Sequence, residues 1–562
     1  MLFISRRHFL KLGLLTPALG SLLHCSEPKS KLIPAFDAVP GEVVGENSDL
    51  GHLVRTPLEE PLIPPPSEQL YDVLIVGGGV AGVSAGWKLA KSGVKNFLLL
   101  DMKAQLGGTS ISGEANGTPF AWAAHYINTP PMEADCILEV LEDIGVVVGY
   151  MDSGWPIVNP DYICKAPGER LLIEGRWVEG LNPFHRAGDE DLQAFAEFQT
   201  DMLQWTLRRG ADGRRAFTLP LAYSSDDAEI RALDGITMLD YMRQKGWYSP
   251  RLDWLVNYGC RDDYACPMDE VSAWAGVHYF ACRYYADELQ GRFPVHTLTW
   301  PEGNAFLVNG MARRFSVDNV RANAVVVLIR QLDDEVRVTS VDTQTRQIST
   351  LRARTAIFAG NKHIAAHIIP ELPYEQVGAF QACQYTPWLT ASVHINRLPQ
   401  TRRSQIAWDN VMYESDSLGY VVADHQTRRD RGSERPSVLT YYLPLDREPD
   451  AKRVDLLEKG HEHWVKVIMR DLWQMHPGIE KDITRIDIYK WGHAMIRPTP
   501  NFIWGEGREW RGRPVGLICF AHSDVTGLPL FEEACYTGIR SAQQAMDRLG
   551  VRYERSIKEG RL

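Results

Sequence analysis

Asp72-Val73-Leu74-Ile75-Val76-Gly77-Gly78-Gly79-Val80-Ala81-Gly82 is the stretch whose reading decides the fold. After Asp72 the run is short, apolar and unbroken, the pattern of a strand buried on both faces of a parallel sheet. A Gly-x-Gly-x-x-Gly loop follows at once. The pattern then predicts a helix over 81–92 ended by Gly93, and a second strand over 97–101. Each glycine has a mechanical task. Gly77 permits the tight turn out of the strand, Gly79 lets the backbone approach a pyrophosphate, and Gly82 lets the helix pack closely on the strand. The helix start at Val80 and Ala81 offers N–H groups and a positive dipole end to phosphates. Asp101, followed by Met102, ends the second strand, where a carboxylate accepts hydrogen bonds from ribose hydroxyls. The loop alone also fits an ordinary glycine-rich turn. With strand, helix, second strand and acid in place, it reads as a dinucleotide site.

Upstream lies an address. Ser5-Arg6-Arg7-His8-Phe9-Leu10-Lys11 precedes a mostly apolar run to Leu23, too short to span a bilayer comfortably. The Arg-Arg pair followed by Phe-Leu-Lys resembles the bacterial twin-arginine signal; an amphipathic anchor is the other reading. The resemblance implies use of the twin-arginine export machinery, export of a folded protein, and a periplasmic or exported location. Cys25 stands where a lipid-modified first residue would, although His24 before it is bulky for that role. Residues 1–25 thus read as a signal peptide and 26–70 as a Pro-rich linker stiffened by Pro57, Pro61, Pro64, Pro65 and Pro66. The folded body is expected to begin near Tyr71.

Length and composition narrow the class. A chain of 562 residues exceeds one simple core. A net charge of −11 argues against a general nucleic-acid binder, which needs a basic face. None of the nine cysteines forms a C-x-x-C pair, so no metal site is expected and buried thiols are the plain reading. The Gly-x-Ser-x-Gly match at 82–86 falls inside the helix predicted after the glycine loop and not at a strand-to-helix turn, so no nucleophile elbow stands out and hydrolase chemistry is disfavoured.

Downstream, Gly107-Gly108-Thr109-Ser110 resembles the second glycine pair of the flavin-containing amine oxidase superfamily, which includes L-amino-acid oxidases, polyamine oxidases and protoporphyrinogen oxidase. Thr109 stands where that superfamily commonly has Arg. The likeness recurs in order: Trp300-Pro301-Glu302-Gly303; a strand with Val326 towards the adenine; a hairpin over 336–351; and a buried strand ending Ala359-Gly360. It closes with Asp524 and Leu530-Phe531-Glu532-Glu533-Ala534. His522 and Glu533 replace glycines usual in the family. The resemblance implies a non-covalently bound FAD. It places Asp524 by the ribityl or pyrophosphate part, and Leu530 and Phe531 by the ring at a helix N-terminus.

The expected architecture is α/β. A Rossmann-like FAD domain of the second-glycine-pair type is built from 71–130, 300–369 and 501–550, and an interleaved α+β substrate domain from 131–299 and 370–500. Within it, His493 is a candidate acid or base, Lys362 a candidate contact to flavin or a carboxylate, and Phe531 an aromatic wall. Tyr264, Trp274, Tyr279, Tyr284 and Tyr285 suit either core packing or a flavin-facing surface. The implied reaction is hydride transfer to FAD from the C–N bond of an amine or amino acid, with electrons passing to O2 or a periplasmic carrier. A desaturase or isomerase of an apolar substrate and a non-catalytic flavin-binding partner are the alternatives.

Overall fold

The computed structural model describes residues 38–557 except 46–47, 56–57, 59–61, 116, 284–294, 401–403 and 428–434. Arg6, Arg7, Cys25, Tyr284 and Tyr285 lie outside the described residues. The chain is a mixed α/β protein with a Rossmann-like domain. Strand Pro66–Val76 sits mid-sheet, paired in parallel with Phe97–Leu100 on one side and Ile348–Phe358 on the other. Its residues Val73, Leu74 and Ile75 are fully buried, as an apolar run covered on both faces requires. Val320–Arg321 extends one side of the sheet, Val336–Asp342 and Ala324–Gln331 the other, and Ile518–Phe520 pairs with Ile348–Phe358.

Helix Val80–Lys91 leaves the glycine loop, and Gly93 ends it at φ +83°. It lies against the closing helix Phe531–Leu549. Glycines make both approaches possible. A Cβ on Gly82 would stand 1.8 Å from the Gly77 carbonyl oxygen, and one on Gly538 2.1 Å from that of Ala81.

One sequence expectation merges with its neighbour. The second arm of the hairpin and the buried strand after it form a single strand, Ile348–Phe358. Its first half pairs with Val336–Asp342, while its second half enters the fingerprint sheet.

The second sheet has eight strands. In order they are Val43–Val44, Ile483–Ile496, Tyr385–Ile395, Ser437–Pro444, Tyr420–Val422, Asp409–Met412, Glu169–Ile173 and Arg176–Glu179. One face packs on helix His461–Met475. The other meets a helical layer that includes Asp189–Leu207, Pro250–Tyr264 and Ala273–Ala281. Tyr264 and Trp274 are fully buried in that layer around His278, so they are core. Among the described residues no helix is long and apolar enough to cross a membrane.

The reading of 26–70 as a tether is corrected. The central strand starts at Pro66, where a missing N–H is tolerated at a strand end. Val43–Val44 pairs in parallel with Ile488 and Tyr489, and Val54 is buried against the Rossmann sheet.

Gly538→Ala is expected to destabilise the protein by about 1–3 kcal/mol, because backbone must move to admit the methyl group. Urea denaturation checks this; an unchanged midpoint would mean that the helix contact is loose.

Candidate cofactor and substrate site

A cavity of about 900 Å³ runs between the two sheets. One end is glycine. Gly77, Gly79, Gly107 and Gly108 line it, and Gly79 and Gly107 form a parallel bridge. Gly107 donates its N–H to the Gly78 carbonyl at 2.8 Å. A Cβ on Gly108 (φ +63°) would come within 3.2 Å of the Gly79 Cα, so side chains would fill the cradle. No side chain caps helix Val80–Lys91 at Gly79, which leaves its dipole end to the cavity.

Asp101 lines the same end. Its carboxylate accepts N–H bonds from Gly78 at 2.6 Å and Lys103 at 2.7 Å. Burial raises its pKa against those two bonds. Val80, Ala81, Met102, Thr109, Val326, Ala359, Gly360, Leu530, Phe531 and His493 also line the cavity. Gly82 does not, because its contact is with Gly77 behind the loop.

Two predicted contacts are corrected. Lys362 is fully buried and faces away from the cavity. Its Nζ donates to the carbonyls of Ala521 at 2.7 Å and Gly360 at 3.0 Å, tying two strand ends together. Burial lowers its pKa to about 8, with Asp524 opposing. Asp524 is buried as well and does not line the cavity. Oδ2 accepts the Lys362 N–H at 2.8 Å and the Tyr385 hydroxyl at 2.5 Å, while Oδ1 lies 2.9 Å from His522 Nδ1. Burial alone would raise this carboxyl; His522, Lys362 and Tyr385 outweigh it and hold it below the usual carboxylate range. Asp524 therefore positions its neighbours. His522 presents itself to the cavity from φ +140°, a conformation that suits the glycine usual at this place.

His493 reaches the cavity, but not as a group that titrates near neutrality. It stacks on His363 with ring centroids 4.5 Å apart. Burial, then His363 and Arg453, push its pKa down to about 3. The reading of His493 as an acid or base that titrates near pH 7 is corrected.

The remaining cavity wall is aromatic and acidic. Tyr489 and Trp491, alternating on strand Ile483–Ile496, stack at 3.9 Å, with Lys103 Nζ 2.8 Å from the Tyr489 hydroxyl. His125 stacks on Tyr442 at 4.7 Å. Asp262, Asp263, Asp409 and Glu532 line this region, with Arg283 paired to Asp263. Burial raises the Glu532 pKa to about 7 against the pull of Arg283. Sequence reasoning missed most of this wall, since Trp388, Tyr442, Asp262 and Arg283 come from separate segments with no shared spacing. His125, Trp491 beside His493, and Glu532 in the closing segment carried a signal.

Cradle, acid and cavity define a dinucleotide-binding Rossmann-like domain joined to a second lobe built on the eight-stranded sheet. The family model described as NAD(P)-binding Rossmann-like domain matches residues 75–144. Baeyer-Villiger monooxygenase 4 from Dietzia sp. is 40% identical over 53 residues, 9% of each chain. A second Baeyer-Villiger monooxygenase, from Stachybotrys chlorohalonatus, is 29% identical over 82 residues, 15% of this chain and 12% of its own. This chain thus spans about a tenth of the length of the curated relatives it matches.

Whole-chain likeness comes from solved structures. Putrescine oxidase bound to putrescine superposes at a TM-score of 0.64 with 15% identity, covering 85% of this chain and 99% of that one. Cyclohexylamine oxidase from Brevibacterium oxydans gives 0.62 and 16%, covering 86% and 100%. A fatty acid isomerase from P. acnes gives 0.58 and 15%, covering 85% and 98%. The fold is thus shared with these oxidases and the isomerase, and the glycine cradle, Asp101 and the cavity beyond them fit FAD.

Lys362→Met is expected to lower stability by about 2–4 kcal/mol, since it strips a buried cation from Asp524 and two carbonyls. Thermal melting of the yellow protein checks it. An unchanged melting temperature with lost turnover would restore a catalytic role.

Glu533, fully buried beside Glu532, gives a pH test. Burial raises its pKa from 4.5 to about 7. The folded state then favours the protonated acid, so its contribution is full below the unfolded pKa and is lost as pH rises through about 7. Glu533→Gln is expected to exceed wild type in stability by on the order of 2 kcal/mol at about pH 8, the gap closing in acid. Melts across this range read it; a gap independent of pH contradicts the assignment.

Proposed function

We propose that the protein is an FAD-dependent oxidoreductase that oxidises the C–N bond of an amine or amino acid. The observation that carries this is the pairing, in one cavity, of a glycine cradle with an aromatic wall bearing Asp262, Asp409 and Glu532. Carboxylates and aromatic faces attract an ammonium group, a group that an apolar polyene does not carry. Gly77, Gly79, Val80, Ala81, Gly107 and Gly108 would hold the pyrophosphate, Asp101 the ribose, Val326 the adenine side, and Leu530 and Phe531 the ring end. When bound, FAD supplies a two-electron acceptor.

The chain's own residues bind, orient and deprotonate. The stacked Tyr489 and Trp491 form an aromatic wall of the cavity beside Lys103. Glu532, with its pKa near 7, takes a proton from the bound ammonium at a carboxylate oxygen, leaving the nitrogen lone pair free to assist loss of hydride from the adjacent carbon. We propose O2 or a periplasmic carrier as the final acceptor, and loading of the cofactor before export through the twin-arginine route, with Cys25 as a lipid anchor. The Arg6-Arg7 sequence supports the route.

Anaerobic bleaching of the flavin against amines, amino acids and polyprenoids tests the reading. Amines or amino acids are expected to bleach it, and Glu532→Gln to slow this at least ten-fold near pH 7. Bleaching by polyprenoids alone would favour a desaturase or isomerase, and bleaching by none a binding role.

A further inference from the structure

The segment before the Rossmann strand has a course built for it. Glu42 donates its N–H to Asp487 at 3.0 Å and accepts that of Ile488 at 2.9 Å, while Pro40 accepts that of Ile486. Two glycines let it lie this close. A Cβ on Gly41 (φ +150°) would stand 1.8 Å from the Ile486 carbonyl oxygen, and one on Gly45 (φ +69°) 2.0 Å from the Tyr489 ring.

From there helix Ser48–Gly51 and the turn His52–Arg55 cross the cavity. Val54 is buried against the Rossmann sheet. The turn packs on strand Ala324–Gln331, which carries Val326, and on helix Lys362–Ile368, which follows Gly360. It therefore spans the cavity from its adenosine side to the end of the glycine cradle. His52 and Arg55, one turn apart and exposed, both line the cavity. His363, His367 and Arg453 line it beside them, Arg453 being paired with Asp450. Both His52 and Arg55 act electrostatically on His493, which puts them within reach of the cavity interior. At the cradle end Thr109 is neutral and Lys103, beside Asp101, is the cation that lines the cavity, so His52 and Arg55 would add positive charge from the opposite side.

We propose that residues 41–45 and 48–55 form a strap over the dinucleotide site, in which His52 and Arg55 bind the anionic pyrophosphate half of the cofactor from the solvent side. This rests on the FAD reading of the cavity. The strap adds no catalytic group. It raises affinity for the phosphate-bearing half of the ligand and leaves the isoalloxazine end to other residues.

The test uses the full-length protein stripped of flavin, with FAD and riboflavin as probes, since riboflavin lacks the pyrophosphate. Binding is followed by fluorescence titration at low and high salt. The double variant His52→Gln/Arg55→Gln is expected to bind FAD roughly five-fold more weakly, with a shallower salt dependence and riboflavin affinity unchanged. Its melting temperature without flavin should equal that of wild type, because both side chains are exposed. Gly45→Ala, which lifts the strap from Tyr489, should speed FAD release. Equal FAD affinity in variant and wild type overturns the strap assignment, as does an equal loss for riboflavin. A wild type that binds no FAD instead overturns the cofactor reading, and the strap assignment with it.

Discussion

Backbone packed directly on backbone is the constraint on which this structure depends. Gly82 sits against the Gly77 carbonyl, Gly538 against that of Ala81, and Gly79 against Gly108. No side chain intervenes at any of the three. The first contact sets the helix on its strand, the second sets the closing helix on that helix, and the third leaves room at the helix end. Because strand, two helices and second glycine pair are fixed together, the cradle is already formed when a ligand arrives. Little ordering then has to accompany binding.

The remaining charge arrangement follows from that rigidity. Strands Ile348–Phe358 and Ile518–Phe520 end side by side under the cradle, and their terminal carbonyls turn inwards. Lys362 satisfies two of them, and Asp524 balances Lys362. Tyr385, from the second sheet, donates to Asp524. One buried network thus couples the two sheets through charges that have no access to solvent, where losing one partner leaves the others exposed to the full desolvation cost.

What could be read from sequence divides along the same line. The loop 77–82, Asp101 and the second glycine pair were legible because each residue's reason lies within a few positions of it. Val326 and Phe531, placed by resemblance, do line the cavity. Lys362 and Asp524 were legible as notable residues, but not in their roles, because those are set by Ala521, Tyr385 and His522 from distant parts of the chain. The depressed titration of His493 was equally hidden, since it depends on stacking against His363. The segment 41–55 gave no periodic signal, because a two-residue strand and single turns are too short to show one.

That short strand also bears on how the protein behaves in a crowded solution. Val43–Val44 lies along the outer side of Ile483–Ile496, which would otherwise be the border of a seven-stranded sheet. Unpaired borders of this kind recruit strands from other molecules. Here the two valines satisfy part of the ladder, while Arg485 and Asp487, paired with each other, put charge on the rest. The segment that crosses the cavity therefore also acts as a guard against self-association.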